Sequence, residues 1–313
     1  MKIITIIFDI VSIGVGLGFI AIIIHFFLPG RVKKEKGKSH TPENLILVDS
    51  IIPRRMFYNE RETEAIQKLI FLLSNENFLK IQNRLAGKGM RKGFACLFSG
   101  GPGTGKTETA YQIARETKRN IMAVDISKTK SMFFGEGGKL IKDIFDTYRE
   151  EVEKSEMAPI LLFNEADAII SKRLELNSSS RAVEQEENSI QNIILSEIEN
   201  LSGILIATTN LTRNMDNAFE RRFLYKINFD KPNPKSRRNI WNALAPELPD
   251  ELTGELSTKY ELSGGQIENI ARKTEVEAII SGGILPLSTL EQYCKDEIMN
   301  NLNTSKKVGF THE

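Results

Sequence analysis

The residues with the clearest potential for chemistry form one glycine-rich segment, called here the P-loop, between an apolar run and a helical pattern. Its positions are Gly100, Gly101, Pro102, Gly103, Thr104, Gly105, Lys106 and Thr107, and Glu108 follows as a further candidate for nucleotide binding. Glycines let backbone N–H groups turn inward around an anion, and the helix that follows adds its positive end. Lys106 is expected to reach the β- and γ-phosphates, and Thr107 to bind Mg²⁺ through its hydroxyl. The segment predicts a nucleoside triphosphate site; a plain tight turn is the alternative.

A second candidate group follows a later apolar run, where the chain reads Asn164-Glu165-Ala166-Asp167. An acid at the carboxyl end of a strand beside the P-loop strand is where an NTPase needs a group to orient water. We expect Glu165 to be the general base. The alternative is a solvated acid at a strand end.

Five apolar runs of strand length must position these groups, at 94–98, 121–124, 160–163, 204–207 and 223–227. Helical spacing of apolar residues separates them, which predicts a parallel sheet covered on both faces. Beyond Pro232 and Pro234 the patterns at 237–243, 266–280 and 287–302 are helical. The predicted fold is therefore an α/β P-loop NTPase core over 45–233 with a small helical lid over 234–313.

The amino-terminal stretch, residues 3–28, is almost uninterrupted in its apolar character and exceeds the ~20 residues that cross a bilayer as a helix. Basic residues follow it in a linker over 31–44. By the positive-inside tendency, this predicts a single-pass membrane protein with residues 1–30 as anchor and the ATPase domain in the cytoplasm. A cleaved signal peptide is the competing interpretation, although its charge would precede the apolar run.

Composition excludes several classes of function. The formal net charge of +1 gives no sign of a nucleic-acid surface, and the two cysteines suggest neither a disulfide framework nor a zinc site. The sequence contains three histidines and no His-Glu-x-x-His pattern, so a built-in zinc protease is excluded.

The order of these motifs resembles the AAA family of ATPases from residue 54 to residue 283. The segments that carry the resemblance are the P-loop, 164–167, Ile-Ala-Thr-Thr-Asn at 206–210, Ala-Phe-Glu-Arg-Arg-Phe at 218–223 and Leu-Ser-Gly-Gly at 262–265. The resemblance implies a sheet of five parallel strands, a lid of four helices, and ATP with Mg²⁺ between them. It also implies a homo-oligomeric ring, usually a hexamer, in which one subunit completes the active site of the next.

By this resemblance Asn210 matches the sensor-1 position, which helps to place the attacking water. Arg221 and Arg222 match the arginine-finger region, where a guanidinium stabilises charge on the transferred phosphoryl group. The family often spaces its two arginines three apart, whereas these are adjacent; we favour Arg222. An Asx turn at Asn210 and surface ion pairs for the arginines are the alternatives.

Two further segments match lid and pore elements of the family. Ser263-Gly264-Gly265 corresponds to the sensor-2 turn over the nucleotide, with a plain helix cap as the alternative. Phe133, Phe134 and Gly135 correspond to the pore loop that grips an extended polypeptide, with a buried staple as the alternative. Residues 177–185 are interpreted as a mobile second loop on the same face.

Two positions depart from the family pattern. Gly101 stands where proline is usual, which removes no hydrogen-bond donor. Asn164 replaces the aspartate that normally holds a water on Mg²⁺, so a formal charge is lost and Mg²⁺ is expected to bind less tightly. Slow hydrolysis follows from this change.

The leading hypothesis is a membrane-anchored AAA ATPase ring that remodels or threads protein substrates. The second hypothesis is a nucleotide-dependent scaffold at the membrane that turns over little ATP. A DNA motor resembling a clamp loader is a third, which the charge balance does not favour.

Overall fold

The computed structural model describes residues 44–126, 137–171, 181–211, 215–282 and 286–304, together with residue 42. Residues 44–313 belong to one compact unit. Within the described ranges no helix combines the length and the apolar character that a membrane span needs. The predicted anchor at 3–28 lies outside the described residues and stays a prediction.

The sheet has six strands, of which five are parallel. The strands are β1 (Leu45–Ile46), β2 (Phe94–Gly100), β3 (Ile121–Asp125), β4 (Ile160–Asn164), β5 (Ile204–Thr209) and β6 (Tyr225–Phe229). Their order in the sheet is β1-β3-β4-β5-β2-β6. The five predicted strands are therefore present, and the prediction of a purely parallel sheet is corrected by β1, which pairs antiparallel with β3 at the edge.

The helices alternate with the strands up to β6 and then follow one another. They are α1 (Glu60–Leu73), α2 (Asn75–Gly87), α3 (Lys106–Glu116), α4 (Gly137–Lys154), α5 (Asp167–Ile170), α6 (Arg181–Glu199), α7 (Asn217–Glu220), α8 (Pro234–Leu244), α9 (Asp250–Lys259), α10 (Gly264–Ser281) and α11 (Leu287–Thr304).

Each face of the sheet carries its own apolar core, because strand side chains alternate between the two faces. Leu97, Leu161 and Phe163 point to one face, where α4 and α6 cover them with side chains such as Phe145 and Ile194. The opposite face carries side chains that include Cys96, Phe98, Leu162 and Ile206, and α1, α2 and α3 cover it. The sheet is thus buried on both faces, as the run-and-helix pattern predicted.

Two buried polar side chains tie helices to the strands. The Tyr148 hydroxyl on α4 donates toward the Pro159 and Ile204 carbonyls at 2.8 and 3.0 Å and accepts from the Ile204 N–H at 2.7 Å. Arg119 is fully buried and donates to the carbonyls of Leu73 and Ala158. Burial lowers the Arg119 pKa to about 10, still far above neutrality, so the guanidinium stays charged where α1 ends.

The last four helices, α8 to α11, share a separate apolar core around Trp241, Leu256, Ile270 and Leu290. We call these helices the lid. The apolar patterns predicted α8, α10 and α11, whereas the remaining lid helix, α9, was implied only by the family resemblance and was not located in the sequence. The predicted boundary between core and lid near residue 233 stays a prediction.

Candidate nucleotide-binding site

The candidate site lies at the carboxyl ends of β4, β5 and β2, which are neighbours in the sheet. The P-loop follows β2, Glu165 follows β4 and Asn210 follows β5. Because the strands are parallel, their carboxyl ends meet at one edge, and the loops that leave them converge there. Segments more than 100 residues apart in sequence are brought together in this way.

The P-loop closes into a tight turn that leads directly into α3. Gly103 and Gly105 have φ angles of 71° and 92°, in the left-handed region that favours glycine. Gly105 is the N-cap of α3 and has no capping side chain, so the N–H groups of the first helical turn are without intrahelical partners where the loop joins the helix. Backbone donors and the positive helix end therefore point at one spot, as an anion site requires.

Lys106 is 93% buried and folds back over the loop. Its Nζ donates to the carbonyls of Gly100 and Gly101 at 2.9 and 2.7 Å and to Asn210 Oδ1 at 3.0 Å. Burial lowers the pKa of Lys106, and the nearby carboxylates of Asp167 and Glu165 oppose that shift. The ammonium thus lies between the P-loop and the residues that follow β4 and β5, where it can contact a phosphate bound in the loop.

Thr107 and Asn164, the two residues predicted to hold Mg²⁺, are hydrogen-bonded to each other. The Thr107 hydroxyl donates to Asn164 Oδ1 at 2.6 Å, and the Thr208 hydroxyl donates to the same oxygen at 2.9 Å. With its proton turned to Asn164, Thr107 Oγ1 has lone pairs left for a cation. No cluster of three or more His, Cys, Asp or Glu side chains suited to a metal occurs among the described residues. This donor set fits Mg²⁺, which commonly takes one or two protein ligands together with phosphate oxygens and water.

Glu165 has an unusual backbone conformation for a residue with a side chain. Its φ is 53°, and its N–H donates to the Thr208 hydroxyl at 3.1 Å. Non-glycine residues in this region cost about 1–3 kcal/mol and concentrate at functional sites. The turn leaves Glu165 exposed at the mouth of the site, close enough to Lys106 to influence its charge.

Asn210 touches the cluster from two sides. Its Oδ1 accepts from Lys106, and its backbone N–H donates to Asp167 Oδ1 at 2.8 Å. The structure therefore places two hydrogen-bonded pairs, Lys106 with Asn210 and Thr107 with Asn164, at the same edge of the sheet.

The lid reaches the P-loop through the turn at Ser263 to Gly265. Ser263 caps α10 in a complete capping box with Gln266, while the Gly265 N–H donates to the Gly103 carbonyl at 2.8 Å. The two interpretations given to this turn from the sequence are therefore compatible: it caps a helix and also packs on the P-loop. No arginine lies in the turn.

A cavity of about 460 Å³ opens beside the P-loop, within the range of small-molecule sites. Its walls come from the P-loop, from the lid and from the segment 54–59, which lies along the opening. Aromatic and aliphatic side chains line much of it, including Phe57, Tyr58, Ile240 and Leu244. Glu108 also lines the cavity, and its carboxylate lies 3.7 Å from the Arg54 guanidinium.

The two arginines differ in their environment. Arg222 pairs with Glu199 at 2.6 Å and donates to the Ala218 carbonyl at 2.8 Å, so it is held within its own chain. Arg221 is exposed, and none of the described residues forms a hydrogen bond or ion pair with its side chain. The pore-loop candidates Phe133, Phe134 and Gly135 lie outside the described residues, as do residues 177–180 of the predicted second loop. Residues 181–185 of that loop are helical instead, because they form the start of α6.

Sequence reasoning missed two parts of the site. Asp167 and Thr208 form hydrogen bonds with residues at the ends of β4 and β5. Asp167 is the last residue of the Asn-Glu-Ala-Asp motif, so it could have been singled out from the sequence. The segment 54–59 carries no motif. Only the three-dimensional arrangement places it at the cavity: Tyr58 bonds to Thr109 at 2.9 Å, and its carbonyl accepts from Ser236 of the lid at 2.8 Å.

Comparison with known proteins shows which proteins this chain is similar to. Residues 96–231 match the sequence model described as "ATPase family associated with various cellular activities (AAA)". The chain is 31% identical over 243 residues to ATP-dependent zinc metalloprotease FtsH 2 of Salinibacter ruber, which covers 74% of this chain and 34% of the relative. It is 30% identical over 193 residues to proteasome-activating nucleotidase 2 of Halobacterium salinarum, covering 58% of this chain and 45% of the relative. It is also 29% identical over 197 residues to the 26S proteasome regulatory subunit 6B homolog of Dictyostelium discoideum, covering 58% and 46%. The chain thus spans about a third to a half of the length of these relatives.

Proposed function

We propose, from the premise that residues 96–231 form a domain of the AAA ATPase family, that this protein binds ATP with Mg²⁺ and hydrolyses it. One observation carries the proposal: the P-loop lysine and the polar ends of β4 and β5 meet, with Lys106 Nζ 3.0 Å from Asn210 Oδ1 and Thr107 Oγ1 2.6 Å from Asn164 Oδ1. A P-loop that served only as a turn would not need these partners.

In the proposed reaction, Lys106 gives its N–H donors to the β- and γ-phosphates in exchange for its present carbonyl partners. Thr107 Oγ1 would hold Mg²⁺, and Asn164 would keep the hydroxyl in the required orientation. Mg²⁺, when bound, neutralises charge on the phosphate oxygens. Glu165 accepts a proton from the attacking water, and Asn210 holds that water in line with the γ-phosphate.

The cavity beside the P-loop is proposed to hold the nucleoside. It adjoins Gly103 to Gly105, so a phosphate chain in the loop leads directly into it. Flat aromatic and aliphatic walls suit a purine base, because base stacking and apolar burial are favourable there. The lid forms one wall, and bound ATP is therefore expected to draw the lid and the core together.

The arginine finger is proposed to come from a neighbouring copy of the chain in a ring, with six subunits as the resemblance implies. Either Arg221 or Arg222 satisfies the motif, and the proposal now takes Arg221. Arg222 would have to leave Glu199 and the Ala218 carbonyl before it crossed a boundary, whereas Arg221 has no such contacts to break among the described residues.

Protein remodelling or threading and membrane anchoring complete the proposal. Support for a protein substrate comes from relatives named as proteasome-activating, proteasome-regulatory or ATP-dependent protease chains, together with the aromatic pair Phe133 and Phe134. Support for the anchor is the apolar stretch 3–28 and the basic residues after it. No nucleic acid is expected as partner.

The test is ATP turnover by the chain from Thr41 onward, beside Glu165→Gln and Lys106→Ala. We expect Lys106→Ala to lose nucleotide binding, and Glu165→Gln to bind ATP but lose turnover. If the parent turns over ATP no faster than Glu165→Gln, the hypothesis of an ATP-driven ring is wrong. The nucleotide-dependent scaffold then becomes the better proposal, and the missing charge at Asn164 is its physical basis.

The threading step has a separate test. Phe133→Ala is expected to abolish stimulation of the ATPase by an unfolded protein while leaving the basal rate intact. Equal stimulation of parent and variant would contradict threading through this loop. Salt-sensitive binding of duplex DNA would instead favour the nucleic-acid alternative.

A further inference from the structure

We infer that Asp167 is a positioning residue that holds the side-chain amide of Asn210 with Oδ1 turned toward Lys106 and the phosphate site. The inference rests on the proposed ATPase function and adds a residue that none of the motifs above assigns. Asp167 begins α5 and is separated from the end of β4 by two residues, whereas Asn210 directly follows the adjacent strand β5.

Three hydrogen bonds converge on the Asp167 carboxylate from the end of β5. Its Oδ1 accepts from the Asn210 backbone N–H at 2.8 Å and from the Thr209 hydroxyl at 2.5 Å. Its Oδ2 lies 3.4 Å from Asn210 Nδ2. A single carboxylate therefore fixes both the backbone and the side chain of Asn210.

The chemistry of the two neighbours determines which way the amide faces. A carboxylate only accepts hydrogen bonds and an ammonium only donates them, so Nδ2 must face Asp167 and Oδ1 must face Lys106. A rotated amide would put Oδ1 against the carboxylate and Nδ2 against the ammonium, and would lose both contacts. The amide thus has one favourable orientation.

Asp167 is the neighbour that keeps this orientation during the reaction. Lys106 Nζ now divides its three protons among Asn210 Oδ1 and the carbonyls of Gly100 and Gly101. Once phosphate oxygens take those protons, Asn210 Oδ1 is free to accept from the attacking water. The Asn210 amide then depends on Asp167 to keep Oδ1 directed toward the attacking water.

Loss of the Asp167 charge is not expected to weaken nucleotide binding. Among the described residues the Asp167 side chain forms its hydrogen bonds with Thr209 and Asn210, and Asp167 does not line the cavity. Its charge favours the protonated form of Lys106, while the three acceptors around Nζ stay in place without it. The defect should therefore fall on kcat, and the affinity for ATP should hold.

The test is a double-mutant cycle in the full chain with Asp167→Asn, Asn210→Ala and both together, measured by kcat, by equilibrium binding of a fluorescent ATP analogue and by melting temperature. Displacement of a reacting group by about 1 Å costs about 10²-fold, so Asp167→Asn should lower kcat by about 10- to 100-fold. It should lower kcat no further in the Asn210→Ala background, and the affinity for the analogue should change less than about twofold.

Thr209→Val serves as the matched variant, because it removes one bond to Asp167 and leaves both Asn210 contacts in place. It should lower kcat far less than Asp167→Asn. An equal loss in both variants, or a loss from Asp167→Asn that persists in the Asn210→Ala background, would overturn the inference.

Failure of the proposed function gives a different result. If the parent turns over ATP no faster than Glu165→Gln, the ATPase proposal is wrong. The contact between Asp167 and Asn210 is then tested by the melting temperatures alone. A decrease in the double variant that is smaller than the sum of the two single decreases supports the contact, whereas additive decreases overturn it.

Discussion

The contact between the lid and the P-loop makes a sharp prediction at Gly265. A Cβ built on this residue would lie 3.0 Å from Gly103 Cα, a backbone atom that cannot rotate away. Ordinary van der Waals contacts of carbon lie near 3.5–4.0 Å, so about half an ångström must open between the lid helix α10 and the loop. Gly265→Ala therefore strains the Gly265 N–H bond to the Gly103 carbonyl, which is 2.8 Å long.

The magnitude follows from that bond. A hydrogen bond of this kind contributes about 0.5–1.5 kcal/mol, so its loss should weaken ATP binding roughly 2- to 13-fold if the lid closes on bound nucleotide. The helix itself should not suffer, because alanine is a better helix residue than glycine by about 1 kcal/mol. The melting temperature should hold or rise while affinity falls.

The neighbouring glycine gives a matched control. A Cβ on Gly264 meets nothing closer than the Gly103 carbonyl oxygen at 3.5 Å and Ile240 Cδ1 at 3.7 Å, which are ordinary contacts. Equilibrium titration of a fluorescent ATP analogue should show weaker binding for Gly265→Ala and parent affinity for Gly264→Ala. Equal affinities in all three proteins would refute the reasoning, as would an equal loss in both variants.

Three further predictions concern the finger, the metal and the sheet. Arg221→Ala should abolish ATP turnover and retain ATP binding, whereas Arg222→Ala should chiefly lower the melting temperature because the ion pair with Glu199 is lost. The reverse pattern would identify Arg222 as the arginine finger. Asn164→Asp should make the binding of Mg²⁺ more favourable by about 2 kcal/mol, the attraction between a divalent ion and the added charge at ~4 Å in water. The midpoint of a Mg²⁺ titration of nucleotide binding should therefore fall by at least tenfold, and an unchanged midpoint would contradict a weakened metal site. Tyr148→Phe removes a buried hydroxyl from the Pro159 and Ile204 backbone groups, so the free energy of unfolding should fall by about 2 kcal/mol and the melting temperature by roughly 4–8 °C. A change below 1 °C, measured by calorimetry, would contradict the role given to that hydroxyl.

The parts of the site that the sequence predicted are those fixed by short local patterns. A glycine-rich loop between an apolar run and a helix predicts a strand, a tight turn and a helix start, and β2, the P-loop and α3 follow that order. The acid after β4 and the amide after β5 were recognisable because parallel strands end at one edge. Continuous apolar runs predicted β2, β4 and β5 because these three strands are buried on both faces.

The parts that the sequence did not predict depend on distant partners. β1 has only two residues, Leu45–Ile46, and exists because β3 offers an open edge. Helix α9 has a weak apolar stripe, and it forms because Leu256 packs into the lid core. Asp167 has no local signal beyond its charge, since its partners Thr209 and Asn210 come more than 40 residues later. Such contacts follow from strand order, which local patterns do not encode.

The most direct measurement of the central claim is the identity of the nucleotide that stays on the protein after a single addition of ATP and Mg²⁺. The parent chain is predicted to hold ADP and to have released phosphate, while Glu165→Gln holds unchanged ATP with similar affinity. ATP left intact on the parent chain would contradict hydrolysis, and equally fast conversion by Glu165→Gln would contradict the role of Glu165 as the base.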